Sequence, residues 1–336
     1  MIGLAELMNW PNPRAKLVIT RAVAMNQNRN VLLVAHTGRA DAVAACTQVI
    51  QQLVAAGLVP VMTPEQLVEI DEFLTANNQS RDVLTVVKEL GVVIAEADLE
   101  LVMVLGGDGT ILKAAEIVRE TSTPLMGINL GHVGFLAESE RAGLSNAVER
   151  VVARDYVVKE RLTVDVRVLV SGKEVYRSWA LNEATVEKSA AEKMLEVVLE
   201  IDSRPLSTFG CDGVIMATPT GSTAYAFSAG GPVVWPGVEA ILMVPLSAHA
   251  LFARPLVVSP SSLVAVEVLE RSAGTGVLWC DGRRTHDLPV GARVEVRRSD
   301  KPVRLARLRI GPFTDRLVNK FSLPVAGWRG PVEPDK

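Results

Sequence analysis

The sequence predicts an α/β domain built on a parallel, three-layer sheet, followed by a mostly antiparallel β-sandwich domain. Three observations carry this expectation. Over about the first half of the chain, short apolar runs alternate with stretches of helical period, the pattern of a parallel sheet with crossover helices. Near residue 155 the pattern turns to short β-rich segments separated by turns. The chain has 336 residues, too many for one small core.

Residues 1–28, with Trp10-Pro11-Asn12-Pro13, continue no period and read as a loosely attached extension, open to disorder. They lack the apolar core and small-residue cleavage site of a secretory signal. Asn30 to His36 is a first strand, Thr37-Gly38-Arg39 a turn, and Ala40 to Gly57 an amphipathic helix. Leu58–Met62, Leu101–Leu105 and Pro124–Asn129 are further strands of the same domain. This α/β domain spans 29–155 and is completed by about 306–330, where the sequence regains mixed character. The β-rich domain spans 156–305. Its expected strands are Thr163–Val170, Ser178–Val186, Met194–Ile201, Gly213–Ala217, Ala240–Val244, Val257–Val258, Leu263–Leu269 and Arg293–Val296.

The segment Leu101-Val-Met-Val-Leu-Gly-Gly-Asp-Gly-Thr110 reads as strand, glycine loop and helix start. Gly106, Gly107 and Gly109 can take positive φ and put no side chain between backbone and ligand. After Thr110, Ile111, Ala114, Ala115 and Val118 recur at helical spacing. The unpaired N–H groups at such a helix start attract phosphate. Asp108 would repel phosphate, which points to metal-ion or proton work beside it. A plain Asp-Gly turn is the other reading. The loop is not a Walker A sequence, and Leu112 stands where the third glycine of a dinucleotide fingerprint belongs.

Other segments are less specific. Asn129-Leu-Gly-His-Val-Gly-Phe135 is a second glycine loop after a strand, whose Phe135 suits either a stacked ring or an ordinary core. Asn182-Glu183 suits ribose hydroxyls or a turn. Gly210-Cys-Asp-Gly213 through Thr218-Pro-Thr-Gly-Ser-Thr-Ala-Tyr225 offers many donors to a polar ligand, and Thr218-Pro219, Tyr225 and Phe227 favour an ordered loop over a linker.

A net charge of −3 gives no general attraction to nucleic acid or anionic membranes, and no apolar run reaches bilayer length. Cys46, Cys211 and Cys280 and the histidines His36, His132, His249 and His286 are scattered, so no zinc cage or disulfide framework is expected. A reducing cytoplasm fits. Any metal is expected as Mg²⁺ carried in with phosphates, not at a dedicated protein site.

Together these motifs resemble the NAD kinase family over about residues 30 to 330. Gly106–Thr110 is shared with lipid kinases and phosphofructokinases; Asp212-Gly213 with Thr218–Tyr225 is far more specific. Pro312-Phe-Thr-Asp-Arg-Leu-Val318 and Leu323-Pro-Val-Ala-Gly-Trp328 resemble the actinobacterial branch. The resemblance implies a site between the two domains. There, a phosphoryl group passes from ATP or polyphosphate to the 2′-hydroxyl of the adenosine ribose of NAD, with Mg²⁺ or Mn²⁺, giving NADP. It implies Asp108 as general base, and Asn182 and Glu183 on NAD ribose and amide groups. It places Thr223, Ala224, Tyr225, Ala226, Phe227 and Ser228 around the adenosine. Gly106, Gly107, Gly109, Thr110, Lys113, Phe135, Lys193 and Ser247 are further nucleotide-binding positions. Asp212 would reach the NAD of a neighbouring subunit, making a homodimer or homotetramer. Gly210 stands where other members carry Arg, which bears on discrimination of NAD from NADH, and His132 stands at a variable loop position. A lipid kinase sharing the glycine loop would leave Thr218–Tyr225 unexplained and calls for a membrane-docking helix that is not evident. A non-catalytic nucleotide sensor would not need Asp108.

Overall fold

A computed structural model describes residues 29–130, 134–136, 143–251, 253–308 and 312–325. The 1–28 extension, His132 and the Ala326–Trp328 end of the C-terminal motif lie outside the described residues. The first part of the chain forms β1 (Asn30–Ala35), α1 (Ala40–Ala55), β2 (Val59–Met62), α2 (Pro64–Ala76), β3 (Lys88–Glu89), β4 (Leu99–Leu105), α3 (Asp108–Ile117), β5 (Leu125–Ile128), α4 (Leu144–Val152) and β6 (Val157–Arg161). There follow β7 (Val164–Val170), β8 (Lys173–Ala180), β9 (Glu183–Lys188), β10 (Leu195–Ile201), β11 (Arg204–Cys211), β12 (Gly213–Ala217) and α5 (Tyr225–Ser228). The last are β13 (Ile241–Leu246), β14 (Leu256–Val258), β15 (Val264–Val268), β16 (Gly276–Cys280), β17 (Arg284–Leu288), β18 (Ala292–Arg298), β19 (Val303–Arg307) and α6 (Phe313–Phe321).

The first sheet has the order β3-β2-β1-β4-β5-β19-β6, parallel except for the β19–β6 pair. Its central strands are buried on both faces, which is why they read as continuous apolar runs. Val31, Leu33, Leu101 and Met103 face the side covered by α1, α2 and α4. Leu32, Val34, Val102 and Val104 face α3, and Trp179 near the end of β8 and Leu181 just after it join that side. Two antiparallel six-stranded sheets, β11-β10-β15-β18-β7-β8 and β14-β13-β12-β9-β16-β17, enclose a second core of alternating Val, Leu and Ile side chains. The fold is therefore the expected parallel α/β unit joined to an antiparallel β-sandwich.

Particular elements differ from expectation. Ser178–Val186 is not one strand: β8 ends at Ala180 and β9 begins at Glu183 in the other sheet. The N–H groups of Leu181, Asn182 and Glu183 are held by the Asp281 carboxylate instead of a neighbouring strand. Helix α2 escaped the reading although its start is well signalled, with the Thr63 hydroxyl accepting from Gln66 N–H and Pro64 at the first turn. β6 lies beyond the expected change of pattern at 155, yet pairs with β19 in the first sheet. β11 is an edge strand in which only Phe209 and Cys211 are buried, so its apolar alternation is weak.

Glu100 on β4 joins the first sheet to α4. Arg29 gives its carboxylate two hydrogen bonds of 2.8 and 2.6 Å and also binds the Val151 and Val152 carbonyls at the end of α4. Arg154 binds the same carboxylate at 2.6 Å. Burial alone would raise the Glu100 carboxyl, but the hydrogen bonds from Arg29 and Arg154 prevail and hold it down at about 2. A depressed carboxyl stabilises the fold above its unfolded value of 4.5 and loses that contribution as pH falls through about 2. Glu100→Gln is therefore expected to cost about 1–3 kcal/mol at pH 7. It should also flatten the acid limb of stability below pH 4.5, as read by urea denaturation at several pH values.

Candidate active site

The chain leaves β1 towards β2 on one side and β4 towards β5 on the other. Between β1 and β4 the connecting loops diverge and leave a crevice at the carboxyl ends of the strands. The Gly106–Asp108 loop opens into this crevice, because β4 ends at Leu105 and α3 starts at Asp108. None of Gly106, Gly107 and Gly109 takes a positive φ. Gly106 is needed for another reason: a Cβ there would lie 2.5 Å from the hydroxyl of the buried Thr110. Gly107 and Gly109 have no atom within 4 Å of such a Cβ, so the approach to the first N–H groups of α3 stays clear.

Asp108 sits in the first turn of α3, where the helix dipole favours a negative charge. Its carboxylate is fixed by two backbone donors, Phe135 N–H at 3.1 Å and Leu136 N–H at 3.2 Å. The second glycine loop thus holds the acid in place. A Cβ at Gly134 would lie 2.5 Å from Asp108 Oδ1, so the close approach requires glycine there. The Phe135 ring packs against Phe313 and Phe321 of α6, at centroid distances of 6.0 and 5.8 Å, and Arg316 of α6 donates to the Phe135 carbonyl at 2.7 Å.

Asn182 and Glu183 lie at the β8–β9 break, both buried. Burial first, and the neighbouring Asp281 carboxylate second, push the Glu183 carboxyl up to about 8, against a hydrogen bond from Tyr225 N–H. Glu183 therefore holds a proton near neutral pH, and its buried Oε2 has no hydrogen-bond partner among the described residues. It is poised to bond a polar group that enters from outside.

The Thr218–Tyr225 turn is ordered, and several of its hydroxyls serve that order. Thr218 Oγ1 donates to the Leu181 carbonyl at 2.5 Å and accepts from Gly221 N–H at 3.1 Å. Ser222 Oγ bonds the Pro219 and Val234 backbones. A Cβ at Gly221 would come within 2.0 Å of the Asn182 carbonyl, so the turn lies directly against the Asn182–Glu183 break. Of the following residues, Ala226 buries its side chain in the core beside β12 and β13, and Phe227 stacks on Phe321 at 4.7 Å. Thr223 and Ala224 are half-buried, while Tyr225 and Ser228 are exposed.

Tyr225 links two groups of expected site residues. Burial raises its hydroxyl first, then the charges of Glu187, Asp212 and Glu183. Asp212 pairs with Lys188 at 2.6 Å, and hydrogen bonds from Lys188 and then Ser247 lower its carboxyl. Two expected positions stand apart from these groups. Lys113 lies further along α3, where its charge is felt by Glu65 at the start of α2, and Lys193 is exposed beside Gly274 on the loop before β10. A side chain at Gly210 would meet Met194 Sδ at 2.1 Å, so the methionine fills the room a longer residue would take.

A cavity of about 420 Å³ adjoins the second glycine loop and is lined by Phe135, Leu136, Thr220, Thr223, Trp235 and Phe313. Lys159, Arg161, Arg307 and Arg316 add four cations to its wall. These cations and Trp235 escaped sequence reasoning, because strand arginines and a lone Trp carry no spacing signal. Asp281 escaped it too. Its only mark was an Asp-Gly pair, which also makes turns.

A carboxylate held at a helix N-terminus, a glycine loop open to phosphate and a nucleoside-sized cavity beside them define a phosphotransferase acting on a nucleotide. Residues 31–156 match the family model of the ATP-NAD kinase N-terminal domain and residues 181–308 that of its C-terminal domain. The NAD kinase of Leifsonia xyli is 64% identical over 91% of this chain and 99% of its own length. That of Thermobifida fusca is 58% identical over 90% and 92%. The chain belongs to the NAD kinase family. Among solved structures, yeast NADH kinase complexed with NADH shares the fold, with a TM-score of 0.75 at 24% identity over 93% of this chain and 91% of that one. An NAD kinase from Archaeoglobus fulgidus in complex with ATP gives a TM-score of 0.57 at 25% identity, over 88% and 98%. No helix among the described residues is long and apolar enough to cross a membrane.

Gly134→Ala tests the hold on Asp108. The added methyl must push the carboxylate aside while the rest of the site is untouched. Turnover is expected to fall by about 10- to 100-fold, the usual cost of misplacing a reacting group by about 1 Å. The melting temperature should change by only a few degrees. An unchanged turnover in steady-state assays would show that the fixed position of Asp108 is not needed.

Proposed function

We propose that the chain moves the γ-phosphoryl group of ATP to the 2′-hydroxyl of the adenosine ribose of NAD, with Asp108 as general base. The observation that carries this reading is the Asp108 carboxylate at the start of α3, fixed by the N–H groups of Phe135 and Leu136, two residues that themselves line the cavity. A ribose hydroxyl is a very weak acid, and a carboxylate within hydrogen-bond reach takes its proton as the new bond forms. The open N–H groups behind Gly107 and Gly109 face the charge that develops on the transferring group. Glu183, protonated and with a free oxygen, and Asn182 beside it bond the ribose and amide groups of NAD. Thr223, Ala224 and Tyr225 border the adenosine, and Trp235 offers the cavity a flat aromatic wall.

Mg²⁺ or Mn²⁺ is read as arriving on the phosphates of the donor and not at a dedicated protein site, which leaves the Asp108 carboxylate free to act as the base. Carried in on the donor, the ion offsets phosphate charge. The ATP complex of the Archaeoglobus fulgidus relative supports ATP as donor. Asp212, half-exposed and braced by Lys188 and Ser247, is read as reaching the NAD of a neighbouring subunit in a homodimer or homotetramer. Met194 over Gly210 leaves no arginine there to sense the nicotinamide charge, so NADH is expected as a second acceptor. The buried, free cysteines suit a reducing cytoplasm.

The test is Asp108→Asn, assayed with Mg-ATP and NAD and with polyphosphate in a parallel arm. Turnover should fall by about two to four orders of magnitude, while NAD affinity by calorimetry stays within about threefold. Near-normal turnover would remove Asp108 from the base role. Refolded together with Asp212→Ala chains, the Asp108→Asn chains should regain part of the lost activity, since some mixed interfaces hold one intact site. Hybrid oligomers as inactive as their parents would place Asp212 within its own chain's chemistry or outside it.

A further inference from the structure

Asp281 has no part in the chemistry above, yet its side chain is only 2% exposed. It stands in the turn between β16 and β17. Its Oδ1 accepts from Asn182 N–H at 2.7 Å and Glu183 N–H at 3.3 Å, and its Oδ2 from Leu181 N–H at 3.0 Å and Arg284 Nη2 at 2.8 Å. Asp281 N–H in turn donates to the Glu183 carbonyl at 2.9 Å. Burying a carboxylate costs several kcal/mol before compensation. A simple strand-to-strand crossover has no need of one, so the turn it holds must matter.

The network extends to the other domain. Arg284 Nη1 lies 3.6 Å from Glu116 Oε1, and Arg283 grips the same carboxylate with two bonds of 3.0 Å. Arg284 and Arg119 also lie over the ring of Trp179, at 4.5 and 4.1 Å, just before the held turn. Glu116 is on α3, about 12 Å along a continuous helix from Asp108.

We infer that Asp281 is a positioning residue for phosphoryl transfer: it fixes the Leu181–Glu183 turn and, through Arg284 and Glu116, ties that turn to the helix that carries Asp108. This rests on the function proposed above. The base is carried by the first sheet and the NAD-binding pair by the sandwich, so the span between them depends on a bridge of this kind. Burial raises the Glu183 carboxyl most and the neighbouring Asp281 adds to it, while burial also raises the carboxyl of Asp281 itself, against the N–H groups of Leu181, Asn182 and Glu183 and the charge of Arg284. The titratable groups facing Glu183 are Asp281 and Cys280, from β16 and the turn after it, and Tyr225 from α5, while Arg284 of β17 faces Asp281. Removing the Asp281 charge lets the Glu183 carboxyl ionise at lower pH.

The test compares wild type, Asp281→Asn and Glu116→Gln by NAD calorimetry from pH 6 to 9 and by steady-state kinetics. Asp281→Asn is expected to melt cooperatively, bind NAD at least about tenfold more weakly and keep its KM for ATP within about threefold. The pH at which NAD affinity changes, near 8 in the wild type, should move down by about half a unit or more. Glu116→Gln should keep NAD affinity and lose about tenfold in turnover. An Asp281→Asn protein with wild-type NAD affinity and pH profile, losing activity only in proportion to its folded fraction, would overturn the inference. If that variant does not fold, Glu116→Gln decides, and unchanged turnover overturns the link to α3. A wild type that binds NAD but forms no NADP would defeat the proposed function instead, leaving the binding comparison to be read by itself.

Discussion

Two hydrogen bonds, from Phe135 and Leu136 N–H to the Asp108 carboxylate, set what the rest of the site must do. An acid among phosphate-binding glycines is electrostatically awkward unless it is placed beside, and not in front of, the path of the phosphates. The second glycine loop fixes the carboxylate to one side, and Gly134 lets that loop come close enough. That loop is in turn held by α6, whose Phe313, Phe321 and Arg316 pack on and bind Phe135. The last described helix of the chain thus braces a residue some two hundred positions earlier.

The sandwich contributes the complementary half. Its Leu181–Glu183 break replaces strand pairing with a buried carboxylate, and Thr218–Tyr225 closes over it through the Gly221–Asn182 contact. Glu183 stays protonated because it is buried beside a second acid. The cavity of about 420 Å³ is lined from both sides, by Phe135 and Leu136 of the second glycine loop and by Thr220 and Thr223 of the sandwich.

The central strands were legible because double burial writes itself as unbroken apolar runs, and the glycine loop because its spacing to the following helix is regular. The family resemblance singled out Asp108, Asn182, Glu183 and Asp212. What spacing could not show was how these residues are held. Gly106 and Gly221 are glycines because of Thr110 Oγ1 and the Asn182 carbonyl, contacts made across the fold and not in the sequence. Asp281 lies about 100 positions from the turn it organises, and β6 reveals its allegiance only through pairing with β19. Thr218 and Ser222, which look like ligand donors in the sequence, spend their hydroxyls on the loop itself.

The proposed placement of Asp108 against one particular hydroxyl is tested most directly by following the label from γ-labelled ATP into NAD and cutting the product at its pyrophosphate. Label confined to the adenosine half, as a 2′-phosphate, is the predicted result. Label on the nicotinamide half, or transfer to a lipid and none to NAD, would contradict it.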